Sequence, residues 1–415
     1  MQPCDTIYHD IARLHPVAGG GPLIGQSLND TPAAFTTDAA IAVKNGRVLA
    51  AANRSSIEKS FKANRFHSLG GCLVTPGLVD CHAHPVFAAS RIDEYELKLK
   101  GASYEQIAAS GGGIVSSVKK LRDASDKALA SSLRKHLAWL KRHGTVAVEC
   151  KSGYGLSPEQ ELRSLRLIRD TQGFQGLHLS PTCLAAHSTP PEFRTAGSGG
   201  REAYVEQVVN KILPAVAREK LATAADVFIE RGVFTGDEGR RILKRAKELG
   251  LNGHVHADQL CAGDGAKVAA ECGALSADHL EHVTDEVIGL LAGAGVTGVL
   301  LPGSTFYLRQ DDWAPARKLI AAGVAVALAT DFNPGSSPIA NPAFIMNLAC
   351  LKLGMTPFEA IGAFTRNAAH CLRISSDYGS IEPGKRAAFT AWEVEDVREI
   401  AYYAGSCVVR ETVIE

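Results

Sequence analysis

Residues Leu73–His84 read Leu-Val-Thr-Pro-Gly-Leu-Val-Asp-Cys-His-Ala-His, an apolar run that ends in two histidines. On an extended strand, His82 and His84 point to the same side because side chains alternate between faces. A bound divalent metal is one of the few reasons to hold two imidazoles there. On this motif alone, a pair of surface histidines beside a proline-containing turn is the alternative, so the rest of the chain has to distinguish the two.

Short apolar segments alternate with amphipathic helical segments through most of the chain. For example, leucines at helical spacing follow Ser125, and Ser157-Pro158-Glu159 is a typical helix start. Eight successive β/α units favour a closed parallel (β/α)8 TIM barrel with right-handed crossovers, whereas an open doubly wound sheet gives no reason for the number eight. The predicted strands are Gly77–His82, Thr145–Cys150, Leu179–Ala185, Asp226–Glu230, Gly253–Ala257, Ser276–Leu280, Gly298–Leu301 and Val324–Thr330.

The two ends of the chain have a different pattern. Residues 1–70 and 380–415 contain short strand-like runs and turns, including the hairpin signal Asn45-Gly46. We therefore expect the ends to meet in a small discontinuous β-sandwich-like domain. The predicted division is 1–72 with 379–415 for this domain and 73–378 for the α/β barrel.

Composition excludes some classes of partner. The 415 residues contain 44 Lys+Arg and 44 Asp+Glu, so overall charge gives no case for nucleic acid or an anionic membrane. The ten cysteines form no C-x-x-C pair, as is typical of a reducing compartment. No apolar stretch has the length of a membrane span, and the start of the chain lacks the pattern of a signal peptide. We expect a cytoplasmic protein, and a homodimer because symmetric dimers are the commonest soluble oligomers.

Polar residues lie at the carboxyl ends of the predicted barrel strands, where such barrels carry their chemistry. A single buried polar side chain is usually a satisfied part of the core. Five or six at one end are costly unless they bind a metal, a substrate or each other. The polar residues at or near these strand ends are His82, His84, Glu149, Lys151, Tyr154, His187, Glu230, His256, Asp258, Gln259, His279 and Asp331.

Three imidazoles and one carboxylate, from His82, His84, His256 and Asp331, make a ligand set suited to Zn²⁺ or Fe²⁺ with a position left for water. Such a site gives hydroxide at neutral pH and polarises a carbonyl. Asp331 would both contact the metal and take a proton from water. His279 would orient the water or stabilise an oxyanion, unless it is a packing histidine.

Five stretches, in order along the barrel, resemble the amidohydrolase superfamily and, more narrowly, its imidazolonepropionase family. Val148–Leu156 (Val-Glu-Cys-Lys-Ser-Gly-Tyr-Gly-Leu) and the Thr-Asp-Phe-Asn-Pro-Gly-Ser-Ser-Pro within Ala329–Pro338 are long and specific. The His-x-His motif alone indicates only the superfamily. The five stretches are Ser90–Gly113, Val148–Leu156, His254–Gln259, Leu275–Glu281 and Ala329–Pro338.

The resemblance implies one divalent metal and hydrolysis of the ring amide of 4-imidazolone-5-propanoate to N-formimidoyl-L-glutamate. His82, His84, His256 and Asp331 match the family's metal ligands. The positions that match its substrate contacts are Arg91, Tyr154, His187, Gln259, Asn333, Gly335 and Ser336.

The chemistry of these residues suits that substrate. A propanoate needs a cation, and Arg91 has a planar fork for a carboxylate, although a surface arginine paired with Asp93 or Glu94 would look similar. Gln259 both donates and accepts hydrogen bonds, which fits a ring with both kinds of group and makes Gln259 a catalytic candidate. We expect the loop from Asn333 to offer backbone N–H groups.

Two positions depart from the superfamily pattern. The fourth strand ends in Glu230 where a carboxylated lysine would bridge two metals, so we predict one metal, zinc or iron. Lys151 is then expected to pair internally with Glu149 or Glu230. Ala388 replaces an aspartate in the motif Gly384–Phe389, which concerns only the β domain.

Two other functions remain open from the sequence. A cyclic amidase or deaminase acting on a hydantoin or nucleobase would share the barrel and the metal, but Arg91 and the Tyr154 loop argue against it. A catalytically silent scaffold predicts the loss of a metal ligand, and all four are present.

Overall fold

A computed structural model of the protein describes residues 1–28, 35–101, 112–194 and 198–415. These residues form two sheets. The strands of the first are β1 (Gln2–Leu14), β2 (Thr36–Lys44), β3 (Arg47–Asn53), β4 (Phe61–Pro76), β13 (Ala388–Trp392) and β14 (Val409–Ile414). Those of the second are β5 (Leu78–Asp80), β6 (Thr145–Lys151), β7 (His178–Ala186), β8 (Ala224–Ile229), β9 (Asn252–Ala257), β10 (Ser276–His279), β11 (Thr297–Leu300) and β12 (Val326–Leu328).

The second sheet is the predicted barrel. Its eight strands run in parallel and in chain order from β5 to β12, and each overlaps one of the eight predicted segments. A bridge between Ala83 and Phe332 joins the ends of the first and last strands. Asp331 N–H donates to the His82 carbonyl at 3.0 Å, and His84 N–H donates to the Phe332 carbonyl at 2.9 Å. This closure places the histidine pair beside Asp331.

Helices surround the barrel, and local signals fix where several of them begin. Ser125 and Ser157 accept hydrogen bonds from the first turns of their helices, as the sequence predicts. The helices are Arg54–Ser60, Ile92–Leu99, Ile114–Asp123, Asp126–Arg142, Pro158–Asp170, Pro191–Arg194, Ser198–Gln207, Leu213–Arg218, Gly236–Glu248, Gly265–Cys272, Asp285–Ala294, Pro302–Leu308, Ala316–Ala321, Pro342–Leu353, Pro357–Gly362, Ala368–Cys371 and Val397–Tyr402. Single turns of 3-10 helix lie at Gly25–Leu28 and Phe174–Gly176, and π-helical turns at Val208–Ile212 and Ala363–Asn367.

The first sheet combines strands from both ends of the chain in the order β14-β13-β4-β1-β2-β3. Strands β1 and β4 are parallel, and the other pairs are antiparallel. The predicted hairpin is present, with Asn45 and Gly46 at positive φ between β2 and β3. A separate apolar core that includes Ile11, Ile41 and Phe389 lies on this sheet.

Gly77 separates the two sheets, since β4 ends at Pro76 and the first barrel strand begins at Leu78. A Cβ atom at Gly77 would lie 2.1 Å from Cγ1 of Val146, on the neighbouring barrel strand. The close approach therefore requires glycine at this point. Within the described parts of the chain, no helix combines the length and apolar character needed to cross a membrane.

Candidate active site

Four predicted ligands converge at the carboxyl end of the barrel. One ligand nitrogen from each of His82, His84 and His256 lies within 4.8 Å of the others. Nε2 of His82 and Nε2 of His84 are 3.2 Å apart, and Asp331 Oδ1 lies 3.4 Å from Nε2 of His84 and 3.7 Å from Nε2 of His82. Ligand atoms around a tetrahedral metal with bonds of about 2.1 Å are about 3.4 Å apart. The three imidazoles therefore form a group that can hold a divalent metal, with the Asp331 carboxylate beside two of them.

Two buried aspartates orient the imidazoles. His82 Nδ1 donates to Asp278 Oδ2 at 2.6 Å, and His256 Nδ1 lies 3.0 Å from Asp226 Oδ2. These contacts leave the Nε2 lone pairs for a metal, as carboxylates behind metal-bound histidines commonly do. Burial lowers the pKa of His82 well below its usual value and lowers that of His256 to about 4. Both rings are therefore neutral at pH 7 and available as ligands.

Lys151 lies among the carboxylates near this cluster and supplies one positive charge to them. Its Nζ is 2.7 Å from Asp226, 2.9 Å from Glu149 and 3.7 Å from Asp278, and its side chain is buried. The predicted pairing with Glu149 is present, but the alternative with Glu230 is wrong. The Glu230 carboxylate turns away and accepts hydrogen bonds from the backbone N–H groups of the two neighbouring segments, at residues 231 and 260.

His279 and Asp331 have backbones in the left-handed region, with φ of 81° and 50°. Such strain outside glycine is typical of functional sites. His279 Nδ1 lies 3.7 Å from Glu281, which also accepts a hydrogen bond from the Thr305 hydroxyl. Burial lowers the pKa of His279, but the Glu281 and Asp331 carboxylates outweigh it and raise the pKa above its usual value. Burial likewise opposes ionisation of Asp331, yet His84 and neighbouring imidazoles hold its pKa below the usual value.

A cavity of about 320 Å³ opens beside the predicted metal ligands. Its size suits a small molecule, and polar groups converge on it from many elements. With the exception of His82, which lies beneath, every predicted site residue lines it: His84, Arg91, Tyr154, His187, His256, Gln259, His279, Asp331, Asn333, Gly335 and Ser336.

The Tyr154 loop is held by one carboxylate from the following helix. Glu161 accepts hydrogen bonds from three backbone N–H groups, those of Gly153 at 3.0 Å and of Gly155 and Leu156 at 2.8 Å. The Gly153 carbonyl in turn lies 3.0 Å from Nδ1 of His187. These bonds fix the Tyr154 and His187 rings side by side, with centroids 5.3 Å apart.

The loop after Asp331 differs from the sequence expectation. The Asn333 side-chain oxygen accepts hydrogen bonds from the N–H groups of Gly335 and Ser336, both at 2.8 Å. These backbone donors are therefore engaged within the loop, because an asparagine in such a turn mimics a backbone acceptor. The Ser336 hydroxyl lies 3.5 Å from Asp331 Oδ2, so the loop folds back on this predicted metal ligand.

The sequence interpretation missed Asp226, Asp278 and Glu281, which orient the site histidines, and Lys98, which lines the cavity. Lys98 had a detectable signal, because it lies seven residues after Arg91 and four after Glu94, on one face of a helix. Part of the stretch Ser90–Gly113, residues 102–111, lies outside the described residues.

Solved structures share this fold at low sequence identity. An adenosine deaminase from Xanthomonas campestris with bound zinc matches with a TM-score of 0.72 and 18% identity, over 100% of this chain and 92% of that one. A triazine hydrolase from Arthobacter aurescens matches with a TM-score of 0.73 and 15% identity, over 99% and 93% of the two chains. At this identity the likeness concerns the fold alone.

Sequence comparison is more specific. The amidohydrolase family model matches residues 73–415. Three proteins named imidazolonepropionase are similar over nearly the whole chain: 44% identical in Solibacter usitatus (94% of this chain, 95% of that protein), 43% in Shewanella amazonensis (91% and 92%) and 42% in Symbiobacterium thermophilum (100% and 96%). The predicted resemblance is thereby confirmed, and the chain belongs to the imidazolonepropionase family of amidohydrolases.

Proposed function

We propose that this protein hydrolyses the ring amide of 4-imidazolone-5-propanoate to N-formimidoyl-L-glutamate, a step of histidine degradation. The observation that carries this function is one cavity lined by both the metal-ligand cluster and a carboxylate-binding arginine, Arg91. The relatives named imidazolonepropionase, at 42–44% identity over 91–100% of the chain, support the same reaction.

The cofactor is one divalent metal, zinc or iron, held by His82, His84, His256 and Asp331. When bound, it supplies a lowered pKa for water and polarisation of an amide carbonyl. Both metals accept imidazole and carboxylate ligands, so the donor set does not distinguish them. A single metal agrees with Glu230, whose carboxylate is engaged by backbone N–H groups.

Asp331 and His279 have separate roles in the reaction. Asp331 is held ionised by the imidazoles around it and takes a proton from the attacking water. His279, whose pKa is raised beside Glu281, donates a hydrogen bond to the amide oxygen, and the proton taken by Asp331 passes to the leaving nitrogen as the C–N bond breaks. The Gln259 side-chain amide lies 3.4 Å from the Ser304 hydroxyl. It orients the substrate ring, because an amide both donates and accepts hydrogen bonds.

The remaining cavity residues bind the substrate. Arg91 contacts the propanoate, because a guanidinium fork matches a carboxylate. Tyr154 and His187, held together by the Glu161 loop, contact the ring. Asn333, Gly335 and Ser336 close the cavity beside Asp331.

The test is a hydrolysis assay on freshly prepared 4-imidazolone-5-propanoate with metal analysis of the same samples. Wild type is expected to open the ring with about one metal per chain. Arg91→Ala should keep the metal and lose at least tenfold in kcat/KM, since hydrogen bonds to charged groups contribute about 1.5–3 kcal/mol. Arg54→Ala, which removes an exposed i,i+4 ion pair with Glu58, is the matched control and should retain full activity.

Failure of the metal-loaded wild type to open this ring would contradict the proposal and favour another cyclic amide or a nucleobase as substrate. A chain that binds no metal would favour a silent scaffold.

We further propose that the enzyme is a cytoplasmic homodimer, its small domain comprising residues 1–72 and 379–415 and its barrel residues 73–378. All ten cysteines are free thiols, as suits a reducing compartment. Light scattering of the purified protein tests the dimer directly.

A further inference from the structure

One face of the helix Ile92–Leu99 carries charged side chains towards the cavity. Arg91 immediately precedes the helix, and Glu94 and Lys98 follow at spacings of three and four residues, which places all three on the same side. All three line the cavity that contains the metal ligands. This face therefore brings two positive charges and one negative charge to the cavity wall.

Gly335 holds both cations in place. A Cβ atom at Gly335 would lie 0.9 Å from Nη2 of Arg91, so the guanidinium packs directly on the glycine backbone. Lys98 Nζ donates to the carbonyl oxygen of the same residue at 3.3 Å. Gly335 lies four residues after Asp331. The short loop between them therefore sets the position of both cations relative to the predicted metal ligands.

The cations keep unused hydrogen-bonding capacity. Arg91 Nε is buried without a hydrogen-bond partner among the described residues, and its distance of 3.7 Å to Glu94 is too long for one. Lys98 has three N–H donors, and its hydrogen bond within the described part of the chain is the one to Gly335. Half-burial, and then the nearby Arg91 charge, lower the pKa of Lys98. An anion that binds beside two neighbouring cations stabilises the charged form of both.

We propose that Lys98 is a second carboxylate-binding residue, which together with Arg91 holds the propanoate of the substrate. Glu94 leaves this group with one net positive charge, which matches a carboxylate and is too little for a doubly charged phosphate. The identity of the carboxylate rests on the function proposed above. The hydrogen bond from Lys98 to Gly335 would also be present if Lys98 only held the helix in place. The test therefore distinguishes substrate binding from this structural role.

The experiment compares two ligands that differ at one group, 3-(imidazol-4-yl)propanoate and 3-(imidazol-4-yl)propan-1-ol. Their dissociation constants are measured calorimetrically on metal-loaded wild type, Lys98→Met, Lys98→Arg and Lys100→Met. Lys100 is the matched control, because it lies on the same segment but pairs with the exposed Glu96. Turnover of 4-imidazolone-5-propanoate is measured on the same samples.

Lys98→Met is expected to weaken the propanoate about tenfold or more and to leave the alcohol unchanged, as loss of one charge-assisted hydrogen bond predicts. Its KM should rise more than its kcat falls, and Lys98→Arg should recover most of the affinity. Equal weakening of both ligands, or an unchanged preference for the propanoate, would overturn the inference. Absence of turnover by wild type would instead contradict the proposed function, so the two failures are distinguishable.

Discussion

Lys151 shows how one residue supports several others at the site. Its buried ammonium contacts the carboxylates of Asp226 and Glu149, and Asp226 in turn lies against His256, a proposed metal ligand. Burial alone would lower the pKa of Lys151, but the surrounding carboxylates outweigh it and raise the pKa above its usual value. The ammonium therefore stays charged and balances carboxylates that would otherwise be buried unpaired.

Lys151→Met should lower the free energy of unfolding by about 3–5 kcal/mol, because it leaves buried carboxylates without a counter-charge. Metal affinity should fall as well, since the same carboxylates orient the histidines. Urea denaturation and competition with a chelator measure the two effects. Asp226→Asn is a milder variant for the affinity measurement, and Lys100→Met is the exposed control. Unchanged metal affinity in both site variants would contradict this account.

Gly335 is a second position where a single added carbon atom should disturb the site. Gly335→Ala should displace the Arg91 guanidinium, because the added Cβ would overlap it. We expect a higher KM with little change in stability, since the far end of a long side chain can move. Gly289→Ala is the control, because a Cβ there meets nothing within 4 Å and helps its helix. Equal KM values for the two variants would contradict the packing argument.

At the scale of elements, the Tyr154 loop is fixed by the helix that follows it. The helix Pro158–Asp170 begins with Ser157 as its cap and carries Glu161 back to the preceding loop. A fully buried carboxylate is costly, and burial raises the pKa of Glu161. Its hydrogen bonds from three backbone N–H groups offset that cost.

Glu161→Gln should destabilise the protein by about 1–3 kcal/mol, because an amide offers one acceptor oxygen where the loop presents three donors. The same change should lower kcat/KM, since the loop positions Tyr154 and His187. Activity assays with thermal denaturation measure both quantities. Glu159→Gln, exposed in the first turn of the same helix, provides the comparison. Wild-type behaviour of both variants would show that the loop holds its shape without this carboxylate.

At the scale of the whole molecule, His15 lies where the small sheet meets the barrel. It follows β1 directly, and its ring stacks on Phe35 at 4.8 Å and lies 6.2 Å from Phe358, which belongs to a barrel helix. The ring is buried and has no hydrogen-bond partner among the described residues. Burial lowers its pKa to about 4.

The unfolded chain therefore binds a proton at His15 between pH ~6.5 and about 4 that the folded protein does not bind. The contribution of His15 to stability is complete above this range and is lost as the pH falls through it. We expect the free energy of unfolding of His15→Leu to fall less than that of wild type as the pH is lowered. Between pH 7.5 and pH 4, the difference between the two should change in favour of the variant by up to about 3 kcal/mol. Urea titrations at several pH values measure the difference. A constant difference at every pH would contradict the assignment.

The sequence by itself determined the barrel, the small sheet built from both ends of the chain, and the family. Strand period and helix caps are local signals, and residues such as His256 and Asp331 lie at or just beyond the carboxyl ends of strands that must meet in a barrel. Only the tertiary structure decided which side chains support these residues. Asp278 precedes His279 in the chain but binds His82, which is 196 residues away. Such pairings depend on the packing of distant strands and loops, for which a single sequence carries no local signal.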